Sequence, residues 1–241
     1  MKNLKISADR KYEIHIDVNF NEAISTISKK HNQILLVLPA KMAKIVKLKK
    51  INNVKVMTVP DGEAQKDFKN LQKIWLELGR SNFSRSDAII GLGGGATTDL
   101  AGFAAASWLR GISWYAIPTS LAAMVDASIG GKTAINSPAG KNLIGAFYSP
   151  SAVYIDLDFL ITLPKRDISA GMAEVIKCGF ISDKKILDLG CLRGNYLSLY
   201  MAENAKQYIG IDLSDVAITS LQKRIENKNL KIKNQFLIFI I

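Results

Sequence analysis

Cysteine and histidine are scarce in this 241-residue sequence, with two of each. Cys178 and Cys191 form no C-x-x-C pair, which argues against a disulfide framework or a cysteine-based zinc site and leaves both as small core residues. His15 sits in an alternating strand pattern and His31 ends a helix in a lysine-rich stretch, so both read as structural or solvated rather than as ligands. Long apolar runs are also missing. The longest, Phe236 to Ile241, suits one buried strand and falls far short of the ~18 residues of a membrane span. The first twenty residues scatter Lys2, Lys5, Asp9, Arg10, Lys11 and Glu13 among single apolar positions, so no secretory core is present and a cytoplasmic protein is expected. Acidic residues are outnumbered 21 to 32, giving a net charge of +11. The excess lysines, such as Lys41, Lys44, Lys47, Lys49 and Lys50, lack interleaved aromatics, so they read as a solvated face rather than a platform for nucleic acid.

What is present is a globular composition, 48% apolar and 22% charged, long enough for one large or two small domains. Tyr12 to Val18 alternates as a half-buried strand and Ala23 to Lys30 follows as a helix. Gln33 to Leu38 and Val54 to Val59 are continuous apolar or β-branched runs, each closed by proline, as expected of strands covered on both faces. Between them Ala40 to Lys50 reads as a helix. Gln65 to Leu78 then sets Phe68, Leu71, Ile74, Trp75 and Leu78 on one helical face. Strands at Ala88 to Leu92, Trp114 to Ile117 and Val153 to Leu157, with a helix at Thr98 to Leu109, complete a doubly wound, Rossmann-like α/β pattern. Thr119 to Pro150 is rich in Gly, Ser, Thr and Asn and reads as a long functional loop. Asp167 to Phe180 begins a helix, and from Lys184 strands at 184–190, 208–212 and 236–241 alternate with helices. The expected division is an α/β domain over 1–163, the start of a helical domain over 164–183, and a partial second α/β unit over 184–241.

Three segments could carry chemistry. Gly93-Gly94-Gly95 joins a strand to a helix, where a bare backbone and a helix N-terminus suit a pyrophosphate. A tight turn with no ligand would look the same, and the spacing is not G-x-G-x-x-G. Pro60-Asp61-Gly62-Glu63-Ala64-Gln65-Lys66 stands after another strand, where a carboxylate could accept from ribose hydroxyls or simply cap a helix. Val125 to Thr133 has the look of a phosphate loop but is no Walker motif, because neither position 125 nor position 126, five residues before Gly130 and Gly131, is glycine.

Taken with Trp108-Leu-Arg-Gly, Pro118-Thr-Ser, Gly140-Lys-Asn and Gly171-Met-Ala-Glu-Val-Ile-Lys, these segments resemble the 3-dehydroquinate synthase family over residues 1–183. The resemblance implies a shikimate-pathway lyase that converts 3-deoxy-arabino-heptulosonate 7-phosphate to 3-dehydroquinate and phosphate, using catalytic NAD and zinc or cobalt, as a homodimer. It implies NAD contacts at Asp61, Gly62, Glu63, Ala64, Gln65 and Lys66, at Gly95, Ala96, Thr97, Thr98 and Asp99, and at Thr119, Ser120 and Lys141. Phe159, Leu160, Ile161 and Thr162 would complete that set. Lys132 and Asp126 would lie nearer nicotinamide and substrate, Lys132 also touching the cofactor. Glu174 would ligate the metal and Lys177 would bind substrate.

The family's two histidine ligands lie downstream of that glutamate, where this sequence has none, so the metal site is expected to be incomplete and activity impaired. Ile186 to Gly194 and Tyr208 to Ser214 resemble the first two strands of a class I S-adenosylmethionine-dependent methyltransferase, with Asp212 at the ribose position. Leu192 stands where that family's turn has glycine, which disfavours cofactor binding. A sedoheptulose 7-phosphate cyclase, a metal-dependent polyol dehydrogenase and a non-catalytic nucleotide-binding remnant are the alternatives to the synthase.

Overall fold

The computed structural model describes residues 2–7, 10–182, 185–189, 207–212 and 236–240. They fall into two compact units, Met1–Gly171 and Met172–Ile241.

The first unit is built on a seven-stranded sheet in the order β1-β2-β9-β6-β5-β3-β4. These strands are β1 (Lys2–Ser7), β2 (Lys11–Ile16), β3 (Ile34–Pro39), β4 (Val54–Val59), β5 (Ala88–Gly93), β6 (Ser113–Pro118) and β9 (Ala152–Ile155). All neighbours are parallel except β1 and β2, which form an antiparallel hairpin at one edge. The expected α/β architecture is therefore present, with β1 as a strand beyond those read from the sequence. β5 is buried at every position, as its unbroken apolar run requires in a sheet covered on both faces. β4 is not. It is the far edge strand, and Val56 is 47% exposed, because no further strand covers that side.

The helices follow capping rules where a cap is available. Asn19 Oδ1 accepts from Asn21 N–H to start α1 (Phe20–Ser28), and Asp67 Oδ1 accepts from Asn70 N–H to start α3 (Phe68–Arg80). A short 3-10 turn at Gly62–Gln65 precedes that cap, so the helix begins later than the sequence pattern suggested. On α3, Leu71, Ile74 and Leu78 are buried while Phe68 is exposed and stands edge-on to Trp75, so the apolar face is narrower than expected. α2 covers only Ala40–Ile45, not the expected run to Lys50. The Asn21 side chain donates to Lys47 C=O and accepts from Lys49 N–H, which holds those residues out of the helix.

The 119–150 region is more ordered than its composition implies. It contains a short π-helical turn at Ala123–Ala127 and an antiparallel hairpin of β7 (Lys132–Ser137) and β8 (Gly140–Phe147). This hairpin covers α4 (Gly95–Ser107), whose alanine-rich sequence is thereby buried on several sides. Gly102 marks the closest approach: a Cβ there would stand 2.4 Å from Thr133 Cγ2 and 3.0 Å from the Trp114 ring. Gly102→Ala is expected to destabilise the fold by about 1–2 kcal/mol, the overpacking cost exceeding the helix-propensity gain. A urea titration showing equal or greater stability would contradict this packing. One-turn α5 (Asp158–Ile161) and α6 (Lys165–Ser182) follow.

In the second unit, β10 (Lys185–Leu189), β11 (Gln207–Asp212) and β12 (Phe236–Ile240) form a parallel sheet in that order. The Gly190 to Gly194 turn read as methyltransferase-like lies outside the described residues. No helix among the described residues is long and apolar enough to cross a membrane.

Candidate nucleotide site

In a doubly wound sheet, ligands bind beyond the carboxyl ends of the strands. β5 ends there in Gly93-Gly94-Gly95, and α4 starts with Gly94 as its cap. No side chain caps this helix. The Thr97 and Thr98 amides donate to Gly94 C=O at 2.9 and 3.2 Å, so the amides ahead of them have no carbonyl one turn back and point outwards. The glycines differ in purpose. A Cβ on Gly93 would fall 2.4 Å from Thr97 Oγ1, so Gly93 serves packing. A Cβ on Gly94 would meet only Ser120 Oγ, at 3.5 Å, so Gly94 leaves backbone open to a ligand. The Thr119 amide donates to Gly93 C=O at 2.9 Å and holds the end of β6 beside the turn, with Thr119 buried and Ser120 half-buried. Thr97 Oγ1 and Gln65 Oε1 are buried with no hydrogen-bond partner among the described residues.

Lys66 is the electrostatic centre of this region. Its side chain is 4% exposed, and Nζ donates to Asp99 Oδ2 at 2.5 Å and to Asn142 Oδ1. Glu63 Oε1 lies 3.9 Å from the same nitrogen. The carboxyl of Asp99 is raised above its ordinary 3.8 by burial, against the opposing pull of Lys66. The hairpin closes over this pair: Asn136 Nδ2 donates to Glu63 Oε1 at 2.8 Å, and Asn142 N–H donates to Asn136 Oδ1 at 3.0 Å. Neither asparagine stood out in the sequence as a site residue. Each lies in a stretch that reads as turn, and only the Gly140-Lys-Asn motif hinted at the second.

Next to the network is an open cleft of about 520 Å³. Asp99, Asp126, Lys132 and Asn142 supply its polar lining, and Leu143 and Phe147 an apolar wall. The structure thus brings together residues from three separate parts of the sequence: Lys66 pairs with Asp99, which lines the cleft with Asp126 and Lys132. Lys141 is exposed on β8. Asp61 uses Oδ1 to accept from Lys41 N–H at 2.9 Å and so caps α2, while Gly62, Glu63 and Ala64 are exposed on the 3-10 turn. Gly95 and Ala96 are half-buried in the first turn of α4. Of the segment after β9, Phe159 is buried against Phe20, Leu160 packs on the core, Ile161 is 83% exposed, and Thr162 Oγ1 donates to Phe159 C=O.

Glu174 and Lys177 belong to the second unit, where they form an ion pair one helical turn apart on α6. No group of three His, Cys, Asp or Glu residues among the described residues could hold a metal ion, so the described residues do not fit a catalytic metal centre. Both histidines are engaged elsewhere. His15 stacks on Tyr154 and contacts Asn3 Oδ1 at 3.1 Å, and His31 bridges Ser86 C=O and the Tyr115 hydroxyl at 2.8 and 2.9 Å.

Residues 56–170 match the family described as 3-dehydroquinate synthase N-terminal. The 3-dehydroquinate synthase of Corynebacterium diphtheriae is 46% identical over 197 residues, which cover 78% of this chain and 55% of that protein. The Arthrobacter sp. enzyme of the same name is 59% identical over 131 residues, 54% of this chain and 36% of that protein. The chain thus spans between about a third and about half of the length of these relatives. Among solved structures, a 2-deoxy-scyllo-inosose synthase superposes with a TM-score of 0.63 at 25% identity, covering 78% of this chain and 54% of that one. A 2-epi-5-epi-valiolone synthase from Streptomyces hygroscopicus subsp. jinggangensis, with NAD+ and Zn2+ bound, has the same score at 22% identity and shares the fold, covering 94% of this chain and 64% of that one.

Proposed function

We propose that residues 1–163 are the NAD-binding domain of a cytoplasmic 3-dehydroquinate synthase, followed at 164–183 by the start of its metal-binding domain. The observation that carries this reading is the buried Lys66–Asp99 pair beside an uncapped, glycine-lined helix start, inside the segment that matches the family. The Gly94 and Gly95 backbone receives the NAD pyrophosphate on the positive end of α4. Asp99, Glu63 and the Thr119 and Ser120 hydroxyls surround it as ribose and phosphate partners, with Lys141 and the 159–162 turn at the periphery. Lys132 and Asp126 line the adjoining cleft, where a lysine suits the phosphate or carboxylate of the heptulosonate and a carboxylate can hold a hydroxyl. NAD, when bound, supplies hydride transfer at a secondary alcohol, which makes the neighbouring proton acidic and lets phosphate leave.

Glu174 is the carboxylate that the family pattern assigns to zinc or cobalt, and Lys177 the substrate lysine beside it. Because the two histidines of the sequence are held elsewhere, they do not join Glu174 as ligands and turnover by this chain is impaired. The whole enzyme acts as a homodimer. For residues 184–241 the methyltransferase resemblance is supported by the Ile186 to Gly194 and Tyr208 to Asp212 sequence patterns and by the parallel pairing of β10 with β11. Leu192 argues against useful S-adenosylmethionine binding there.

Isothermal titration of the full chain with NAD tests the first part of this reading, and one-to-one binding is expected. The second part is tested with NAD, zinc or cobalt, and the heptulosonate phosphate, following phosphate and dehydroquinate together, with sedoheptulose 7-phosphate as the competing substrate. Dehydroquinate at a low rate, abolished by Lys132→Ala, is expected. Turnover of sedoheptulose 7-phosphate alone would reassign the substrate, and absence of NAD binding would end the proposal.

A further inference from the structure

We propose that Asn136 is a positioning residue for the nucleotide site, holding Glu63 and Asn142 in the geometry that NAD meets; this rests on the NAD-binding reading above. The β7–β8 ladder runs in register from Lys132↔Phe147 to Ile135↔Ile144, breaks, and resumes at Ser137↔Gly140. Asn136 occupies the break. Freed from the ladder, its backbone N–H donates across to Lys66 C=O at 2.7 Å. Its side chain works in two directions, with Nδ2 donating to Glu63 Oε1 at 2.8 Å and Oδ1 accepting from Asn142 N–H at 3.0 Å. Irregularities of this kind re-aim a side chain at the expense of regular pairing.

The partners make the choice of residue specific. Glu63, when ionised, can only accept, and a backbone amide can only donate, so the position needs one donor and one acceptor on a short side chain. Asparagine offers both and carries no charge among Glu63, Lys66 and Asp99. Three hydrogen bonds and one ion-pair contact close a ring. Asn142, whose backbone is left-handed at φ +58°, accepts from Lys66 Nζ and donates to Asn136, and Asn136 donates to Glu63, which lies 3.9 Å from that same Lys66 nitrogen. The hairpin is thus tied to the 62–66 turn by Asn136 and Asn142 together, with Asn136 linking the two, and through Asn142 to one edge of the cleft.

The test uses the full chain with two variants and two measurements. Asn136→Ala removes both side-chain bonds and should weaken NAD binding about tenfold, the scale of losing a hydrogen bond to a charged group. Amide exchange on the ligand-free protein should show Asn142 N–H losing protection by about the same factor. Ile144, in the regular ladder, should keep its protection. Asn136→Asp places a carboxylate against Glu63, so its NAD affinity should be low at about pH 7.5 and recover towards wild type at about pH 5, where the pair shares a proton. The alanine variant should show no such recovery. Unchanged Asn142 protection in Asn136→Ala would overturn the proposal, as would equal losses for the two variants at every pH. If wild type binds no NAD, the nucleotide reading fails instead, and the exchange result alone decides whether Asn136 positions Asn142.

Discussion

Replacing Lys66 with methionine is expected to lower the stability of the folded chain by about 2–4 kcal/mol at neutral pH, because a largely buried carboxylate loses the ammonium paired with it. Asp99 Oδ2 lies 2.5 Å from Lys66 Nζ, the lysine side chain is 4% exposed and that of Asp99 18% exposed, so water from the cleft replaces the ammonium only in part. The loss should depend on pH with a defined sign. Burial already raises the Asp99 carboxyl above 3.8 while Lys66 pulls it down, so removing Lys66 raises it further. Below the ordinary carboxylate value Asp99 is protonated in both folded and unfolded chains, and the variant has little charge penalty. As pH rises, the unfolded chain releases its proton first, so stability falls by up to about 1.4 kcal/mol per pH unit until the folded-state value is passed. Urea midpoints at about pH 4 and pH 7 should therefore separate wild type and variant widely only at the higher pH. Adding Asp99→Asn to Lys66→Met should recover much of the loss, since the uncompensated charge is gone. A penalty equal at both pH values would mean that Lys66 stabilises through its hydrogen bond to neutral Asn142 rather than through the ion pair.

The importance of Lys66 was only partly legible in the sequence. It stands in a segment that equally suits a helix cap, and its burial depends on β7 and β8, which fold back over it, Asn142 reaching it from 76 residues further along. Their residues hide the hairpin. Gly and Asn at 119–150 have weak strand preference and Ser favours turns, and the pairing comes from backbone bonds and from packing of Thr133, Ala134 and Ile135. β3 and β5, by contrast, announce themselves as unbroken apolar runs, because both faces are covered and nothing polar is tolerated there. β4 has a similar run at a sheet edge, where exposure cannot be read from composition. α2 shows the opposite case. Its residues favour helix as far as Lys50, yet two hydrogen bonds from Asn21, a contact between distant residues, end it at Ile45.

The same distinction between local and distant constraints separates three adjacent glycines, and it leads to the second large effect. Gly94→Val is expected to weaken NAD binding at least about a hundredfold, roughly 2.7 kcal/mol, while leaving the urea midpoint close to wild type. Gly94 has φ −72° and ψ −178°, an ordinary extended conformation that valine adopts without strain. The nearest atom to its Cβ would be Ser120 Oγ at 3.5 Å, a normal contact. Among the described residues, nothing therefore resists a Cβ at this position. The added methyl groups would stand where the backbone is otherwise open, in front of the outward-facing amides of α4, and would keep a pyrophosphate from reaching them. Gly93→Val serves as the contrasting control, since its Cβ would collide with Thr97 Oγ1 at 2.4 Å and the variant should lose stability first. Titration calorimetry and urea unfolding on both variants separate the two roles. A Gly94→Val protein that binds NAD as tightly as wild type would place the pyrophosphate elsewhere and leave the glycine turn as a packing device alone.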